Sequence, residues 1–269
     1  MSSHDYLMES DEEALRLELK TDAEVVRRQA RWAGIQPGMR VADVGCGPGI
    51  TTSILHELVQ PGGSAVGIDL SAERLEYARQ QYGGPEIDFI RHDVREPLEL
   101  LGQFDFVWVR FFLEYHRTNS YAITQNISRL VKPGGILCLI DLDHNCLNHF
   151  GIPERMIQAF QRAVELVEKK ADFDPYMGRK LYSFLYDLGF EEIQVDVAGH
   201  HVLYGEIRES DAFNFLKKVE IAPKKVGYDF PEYAGGFEEF LEEYKKEFAG
   251  PRRFTYSPLI LCRGRRPLP

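Results

Sequence analysis

Strand-like and helix-like segments alternate along the first half of the chain, and this alternation restricts the fold more than any other feature. Five apolar runs have the composition of buried strands: "RVADVG", "SAVGIDL", "IDFIRHDV", "FDFVWVR" and "ILCLIDLD". Between them, helical periodicity places Ile50, Ile54 and Leu55 on one face, and Ser71 stands where a helix cap is expected. Strands joined through helices lie parallel in one sheet. The pattern therefore predicts an α/β fold with a doubly wound, mainly parallel sheet.

The pattern changes after Asp143. Helical segments "PERMIQAFQRAVELVEKK" and "YMGRKLYSFLYDLGF" precede a strand, "EEIQVDVAG", and a helical stretch from Ser210 to Phe248 precedes a last strand, "TYSPLILCRG". We assign residues 35–143 to the core, residues 190–203 and 254–265 to its last strands, and residues 144–189 and 204–253 to helical cap insertions. At the start, Ser10 with Glu13 and Thr21 with Glu24 resemble capping boxes, which predicts two helices within residues 1–34.

Charge and cysteine usage narrow the class of partner. The formal net charge is −10, and the basic runs are short, which argues against nucleic acid as a partner. No window is apolar over the length of a membrane span, and the four cysteines form no C-x-x-C pair. We therefore expect a cytoplasmic protein with reduced thiols, no membrane or nucleic-acid partner, and a small-molecule ligand.

The turn after the first strand, "VGCGPG", is rich in glycine. Its spacing is G-x-G-x-G rather than the G-x-G-x-x-G of dinucleotide-binding loops, and Pro48 removes a backbone donor. Glycine accepts positive φ and lets a ligand approach the backbone closely. In open α/β sheets this turn lies at the ligand-binding edge. The loop therefore predicts a cofactor without a pyrophosphate.

Acidic residues follow the first three strands and indicate which cofactor. Asp43 is placed to attract an ammonium group, and Asp69 to accept both hydroxyls of a ribose. Asp93 is placed to accept from the exocyclic amine of adenine while the N–H of Val94 donates to the ring. Ammonium, ribose and adenine recognition in this order describe S-adenosylmethionine.

The motifs "VADVGCGPG", "GIDLS", "RHDV" and "LVKPGGILCLID" resemble those of the class I S-adenosylmethionine-dependent methyltransferases of small-molecule type, over roughly residues 37–141. The resemblance implies a Rossmann-like, seven-stranded sheet whose last strand is antiparallel. Together with Asp43, it implies cofactor contacts at Gly45, Cys46, Gly47, Gly49, Asp69, Leu70, Asp93, Val94, Arg110 and Phe111. Tyr6 and Arg16, in the N-terminal helices, are candidates to close over the cofactor.

Methyl transfer to a hydroxyl or ammonium needs a base, and two loops supply candidates. The titratable side chains of "RFFLEYHR" and "DLDHNCLNHFG" include Glu114, Tyr115, His116, Asp143, His144 and His149. Many members of the family have a histidine where this chain has Tyr115, so the identity of the base stays open. We take His144 and His116 as the candidate catalytic residues and expect no metal site.

The cap segments are rich in aromatic residues, which predicts an apolar or aromatic methyl acceptor. The function expected is methyl transfer to an O, N or C atom of such a small molecule, by a monomer or homodimer. Two alternatives remain: a non-catalytic module that binds S-adenosylmethionine, and a nicotinamide-dependent oxidoreductase, which the glycine spacing disfavours.

Overall fold

The computed structural model describes residues 21–269, which form one mixed sheet flanked by helices. The strands are β1 Arg40–Val44, β2 Ser64–Asp69, β3 Ile87–Arg91, β4 Phe104–Arg110, β5 Val131–Leu142, β6 Asn148–Phe150, β7 Glu191–Leu203 and β8 Phe254–Arg265. Their order is β3-β2-β1-β4-β5-β8, with β7 on the far side of β8 and β6 beside the first residues of β8. The first five strands are parallel, and β8 is antiparallel to β5 and β7.

This topology confirms the predicted doubly wound sheet with an antiparallel last strand. The described sheet has eight strands rather than seven. The additional strand, β6, is three residues long and pairs with the first residues of β8. It lies on the same side of β8 as β5, which pairs with the later residues of β8. A strand this short carries too little periodicity to be seen in the sequence.

Eight α-helices lie within the described residues: α1 Ala23–Ala33, α2 Ile50–Leu58, α3 Ala72–Tyr82, α4 Ser120–Ser128, α5 Glu154–Lys170, α6 Leu181–Asp187, α7 Glu209–Val226 and α8 Gly236–Ala249. Short 3-10 turns occupy Glu99–Leu101, Leu113–Tyr115 and Met177–Lys180.

The two faces of the sheet have separate cores because strand side chains alternate. On one face Val41 and Trp108 pack with helices α1 and α2 through Ala30 and Leu55. On the other face the core includes Ala42, Val44 and Val107 of the strands and apolar residues of helices α4 and α6. Both faces of the central strands are therefore covered, as a doubly wound sheet requires.

Helix α1 begins one residue later than the capping box predicts. Asp22, not Thr21, is the N-cap, and its Oδ1 accepts from the backbone N–H of Glu24 at 2.9 Å and of Val25 at 3.2 Å. Gly34 ends the helix in the left-handed conformation, as expected. The predicted helix beginning at Ser10, with the candidates Tyr6 and Arg16, lies outside the described residues.

Helices α5, α7 and α8 pack on one another through their own aromatic core. Phe160 of α5, Phe215 of α7, and Phe240 and Phe248 of α8 are buried together. The stretch predicted as one helical segment from Ser210 to Phe248 is two helices, because Gly227 ends α7 in the left-handed conformation.

Helix α6 packs against the sheet rather than in this aromatic core. Leu181 and Leu185 are fully buried with the strand residues Leu139 and Cys262. Part of the segment assigned to the cap, residues 144–189, thus packs into the core of the sheet, because the apolar side chains of α6 share one core cluster with residues of β5 and β8.

Candidate cofactor and acceptor site

The glycine-rich loop crosses the carboxyl ends of β1 and β2. The N–H of Gly45 donates to the carbonyl oxygen of Ile68 at 2.8 Å, and the N–H of Gly47 donates to Oδ2 of Asp69 at 2.9 Å. Gly45, Gly47 and Gly49 have φ of 74°, 54° and 92°. The loop thus needs glycine for its backbone conformation. It lies beside the boundary between β1 and β4, where the strand order reverses and ligands bind in such sheets.

Two of these glycines also make room for the protein's own side chains. A Cβ on Gly45 would lie 2.5 Å from Cδ2 of Phe112, and a Cβ on Gly49 would lie 2.7 Å from Cβ of Ala78 and 2.9 Å from the ring of Phe89. The sequence interpretation, that these glycines leave room for a ligand, is therefore incomplete at both positions. The space beside their Cα atoms belongs to internal packing.

Asp69 lies where the loop meets the end of β2. Its Oδ1 accepts from the N–H of Ser71 at 2.9 Å, while Oδ2 accepts from Gly47. A carboxylate offers about four lone-pair directions, so these two bonds leave acceptor capacity for hydroxyls. The next side chain, Leu70, is 43% exposed. An exposed leucine beside a carboxylate provides an apolar surface next to a hydroxyl-binding group.

Asp43 is buried at the end of β1 and accepts from Oγ1 of Thr52 at 2.7 Å. Burial raises the pKa of Asp43 to about 7, and Asp69 raises it further, while the bond from Thr52 and the charge of Arg110 oppose the rise. This carboxyl is thus poised to ionise near neutrality. A cation that docks beside it would favour the ionised form.

Arg110 ends β4 near Asp43. Burial lowers the pKa of Arg110 to about 10, against the attraction of Asp43 and Asp141, so the guanidinium remains charged at neutral pH. Its Nε is buried and has no hydrogen-bond partner among residues 21–269. Its guanidinium carbon lies 4.2 Å from the ring centre of Phe111, which has a φ of 54°. Left-handed backbone is strained for phenylalanine and is found where a local constraint overrides it.

The residues after β3 are less open than the sequence suggests. Nε of Arg95 donates to Oδ1 and Oδ2 of Asp93 at 2.8 and 3.1 Å. Val94 buries its side chain in the core, and its carbonyl oxygen accepts from Nδ2 of Asn126 at 2.7 Å. An adenine amine at Asp93 would share the carboxylate with Arg95.

Cys46 faces inward from the loop. Its side chain is buried with Leu75, Ala78 and Phe89, and burial raises the pKa of the thiol well above its usual range. The thiol is therefore a neutral packing group, and Cys46 can contact a cofactor through its backbone only.

The acceptors at Asp43 and Asp69 and the exposed Leu70 fit an adenosyl amino acid that brings an ammonium, a ribose and a purine.

Two buried carboxyl groups lie between the loops that follow β4 and β5. The N–H of Glu114 donates to Oδ2 of Asp141 at 3.2 Å, and Nδ2 of Asn145 donates to Oε2 of Glu114 at 3.2 Å. Burial, and then the charge of Glu114, raise the pKa of Asp141 well above its usual range. Two carboxyl groups buried side by side therefore resist carrying two negative charges at once. Sequence analysis did not select Asp141, because nothing in "LIDLD" shows that its side chain faces another carboxyl.

The three histidines of these loops lie in different surroundings. His116 packs against Phe112, with ring centres 4.7 Å apart, and burial lowers the pKa of His116 to about 4. His144 lies edge-on to Tyr176 and has a φ of 53°. In His149, Nδ1 lies 3.0 Å from Oγ1 of Thr255 and Nε2 lies 2.8 Å from the carbonyl oxygen of Cys146. Both ring nitrogens of His149 are thus engaged by the protein.

A partly open cavity of about 100 Å³ lies between these loops and the cap helices. Glu114, Tyr115 and Asn145 face it from the loops, and apolar residues of α5 and α7 form much of the remaining wall. Of the three histidines, His149 lines the cavity, whereas the predicted candidates His116 and His144 are not among its lining residues. Cys146 and Lys218 also line it, and sequence reasoning missed both. Helical periodicity alone does not show which of the adjacent lysines of α7 faces inward.

Residues 41–135 match the family model described as a methyltransferase domain. The ubiquinone biosynthesis O-methyltransferase of Erwinia tasmaniensis is 33% identical over 111 residues, which are 40% of this chain and 44% of that protein. The protein of the same name from Dechloromonas aromatica is 36% identical over 111 residues, which cover 40% of this chain and 46% of that one. The matched stretch thus spans less than half the length of these relatives.

The fold is similar to that of phosphoethanolamine N-methyltransferase 2 of Haemonchus contortus, solved with S-adenosyl-L-methionine. The TM-score is 0.61 at 15% identity, over 99% of this chain and 60% of that one. No helix within residues 21–269 is long and apolar enough to cross a membrane. The chain is therefore similar to methyltransferases in two respects: residues 41–135 match the family model of a methyltransferase domain, and the described residues share the fold of a solved methyltransferase.

Proposed function

We propose that the protein transfers a methyl group from S-adenosylmethionine to an O, N or C atom of a small, largely apolar molecule. The observation that carries this proposal is the position of the cavity. Its walls include the loops that follow β4 and β5, at the same edge of the sheet as the glycine-rich loop and Asp69. A cofactor held at that loop and an acceptor in the cavity would meet at this edge.

Asp43, Asp69 and Leu70 are the residues we assign to the ammonium, ribose and adenine of the cofactor, with backbone contacts from Gly45 to Gly49. When bound at these residues, S-adenosylmethionine would supply an activated methyl carbon to a lone pair of the acceptor, and the electrons of the broken C–S bond would remain on sulfur. The protein's part is to align the acceptor and to exclude water. Such alignment alone lowers a barrier by several kcal/mol, up to about 7–11 kcal/mol in well-oriented systems.

Glu114 is the group we assign to receive the acceptor's proton. It lines the cavity, its Oε2 accepts from Nδ2 of Asn145 at 3.2 Å, and it lies beside Asp141, whose pKa burial raises well above its usual range. His116, with a pKa of about 4, is a weak base, and the nitrogens of His149 are engaged by Thr255 and Cys146. A positioned base contributes about 10²–10⁴-fold to the rate. The earlier assignment to His144 or His116 has less support than this one.

Calorimetric titration and a labelling assay test the proposal. We expect S-adenosylhomocysteine to bind and NADH not to bind; tight NADH binding without S-adenosylhomocysteine binding would favour an oxidoreductase instead. The protein is then incubated with methyl-labelled S-adenosylmethionine and fractionated metabolite extracts. Label in an organic-soluble product supports transfer to an apolar molecule. Binding of the cofactor product with no labelled product in any extract would favour a non-catalytic module.

We also propose that the protein works in the cytoplasm on a small molecule without a nucleic-acid partner, as a monomer or homodimer. All four cysteines are free, and three of them are buried, which suits a reducing compartment. The net charge of −10 suits a small ligand better than a polyanion.

A further inference from the structure

One side of the cavity is apolar. Phe160 and Val167 from α5, Phe173 from the following loop, and Phe215 and Val219 from α7 line it and are buried. Such a surface favours an apolar body, and it offers nothing to a sugar or other polyhydroxylated molecule.

A continuous line of polar groups runs along the wall from the sheet to helix α7. Asn145 donates from Nδ2 to Oε2 of Glu114 at 3.2 Å and accepts at Oδ1 from the thiol of Cys146, also at 3.2 Å. The Cys146 sulfur in turn accepts from Nζ of Lys218 at 3.7 Å. These polar groups therefore connect the carboxyl group of Glu114, in the loop after β4, with the ammonium of Lys218 on α7.

The ammonium of Lys218 has no carboxylate within ion-pair distance in the described part of the chain. Its contacts there are the Cys146 sulfur and the ring of Phe215, 5.3 Å from Nζ to the ring centre. The neighbouring Lys217 differs, since its Nζ lies 3.8 Å from Oε2 of Glu220. A thiol and a ring face compensate an ammonium less well than a carboxylate does, so an anionic group that enters the cavity gains a charge-assisted bond.

We propose that the methyl acceptor is an amphiphilic acid: its carboxylate binds Lys218, its apolar body fills the cavity, and its nucleophilic atom faces Glu114. This inference rests on the proposed methyl transfer and names the class of acceptor. The acid must sit at the Lys218 end, because a second carboxylate beside Glu114 and Asp141 would be repelled. Lys218 is then the residue that selects acids over neutral molecules of the same shape.

Calorimetry with matched probes tests this assignment. The probes are benzoate, phenylacetate and 3-phenylpropanoate, each compared with its primary amide, which has nearly the same shape and no charge. Each is titrated into protein saturated with S-adenosylhomocysteine. We expect at least one acid to bind about tenfold or more tightly than its amide, a difference of about 1.4 kcal/mol. Equal affinity within every pair, or no binding of any probe, would overturn the assignment.

Two variants locate the preference. Lys218→Met removes the ammonium and retains an apolar side chain of similar length, and we expect it to bind acids and amides equally. Lys217→Met removes the adjacent lysine, whose ammonium is paired with Glu220, and should keep the parent's preference. A preference that survives in Lys218→Met would refute the role of this residue.

Binding of S-adenosylhomocysteine, measured first on every variant, separates the two proposals. If the parent protein does not bind it, the proposed function fails and the acceptor class fails with it. If it binds and the acid and amide probes are indistinguishable, the acceptor class alone is wrong. Unchanged affinity for S-adenosylhomocysteine in Lys218→Met shows that this variant is folded.

Discussion

The backbone N–H of Gly47 donates to Oδ2 of Asp69 at 2.9 Å, so the carboxylate that ends β2 also holds the glycine-rich loop that follows β1. The other oxygen, Oδ1, accepts from the N–H of Ser71 at the start of α3. One side chain thereby fixes the relative positions of two βα connections. The proposed ribose contact uses a carboxylate that is already oriented, which lowers the entropic cost of binding.

Asp69→Ala should weaken binding of S-adenosylhomocysteine by about 1–3 kcal/mol, the cost of leaving polar ligand groups unpaired. Isothermal titration calorimetry on the parent and the variant gives this difference. Glu73→Ala, in the first turn of α3, is the matched control and should bind like the parent. Unchanged affinity in Asp69→Ala would remove the ribose assignment.

Binding of S-adenosylhomocysteine should strengthen as the pH rises from 5.5 to 7.5. The pKa of Asp43 is about 7 without ligand, so at lower pH the carboxyl must lose its proton before it can pair with the ligand's ammonium. The affinity therefore rises with pH up to the pKa of the free protein. Calorimetry at several pH values measures the slope, and Asp43→Asn should bind more weakly and lose the pH dependence in this window. A slope that persists in Asp43→Asn would assign it to another group.

Glu114→Gln should lower kcat by about 10²–10⁴-fold, the usual contribution of a positioned base, with little change in affinity for S-adenosylhomocysteine. The substitution also removes one of two adjacent buried carboxyls, so the free energy of unfolding at pH 8 should stay the same or increase. Label transfer from the cofactor and urea denaturation give the two values. Glu165→Gln, at an exposed position on α5, is the control for both. A variant with full activity would exclude Glu114 as the base.

Acid should destabilise the protein in part through His116. The folded-state pKa of about 4 lies below the ordinary value of 6.5, so between these pH values the unfolded chain binds more protons than the folded one. The contribution of neutral His116 to the free energy of unfolding is therefore fully present above pH 6.5. It decreases as the pH falls toward 4, by up to about 3 kcal/mol. Urea denaturation at pH 7 and pH 4.5 should show a smaller loss in His116→Asn than in the parent. His92→Asn, at a half-buried histidine outside the cavity wall, is the control for replacing a histidine.

The sheet was predictable from sequence because its determinants are local. Each strand is a short apolar run, and each following helix has its own periodicity and cap, as at Ser71 and Gly34. The positions of Asp43 and Asp69 follow from the strand register, since the ends of parallel strands meet at one edge. These parts of the candidate site required only the correct strand boundaries.

The acceptor side was not predictable in the same way. Glu114 and Asp141 are 27 positions apart, and Cys146 and Lys218 are 72 positions apart, so their pairing depends on how loops and cap helices pack. The prediction of His116 and His144 relied on residue type and on the positions of their loops after β4 and β5, and neither shows how a side chain is buried. The structure gives His116 a pKa too low for a good base at neutral pH, which only its burial reveals.

Gly49 and Gly62 differ in why a larger residue would be unfavourable: at Gly62 only the backbone conformation opposes it, whereas at Gly49 the neighbouring side chains also leave no space for a Cβ. Both have positive φ, 92° and 82°, but a Cβ on Gly49 would meet Ala78 and Phe89 within 3 Å, whereas one on Gly62 would meet nothing within 4 Å. Gly62→Ala should therefore lower the free energy of unfolding only by the cost of the left-handed backbone, about 1–2 kcal/mol. Gly49→Ala should lower the free energy of unfolding by about 1–3 kcal/mol more than Gly62→Ala does, because the neighbouring core must shift. Urea denaturation of both variants measures the difference, and equal losses would show that the packing around Gly49 yields without cost.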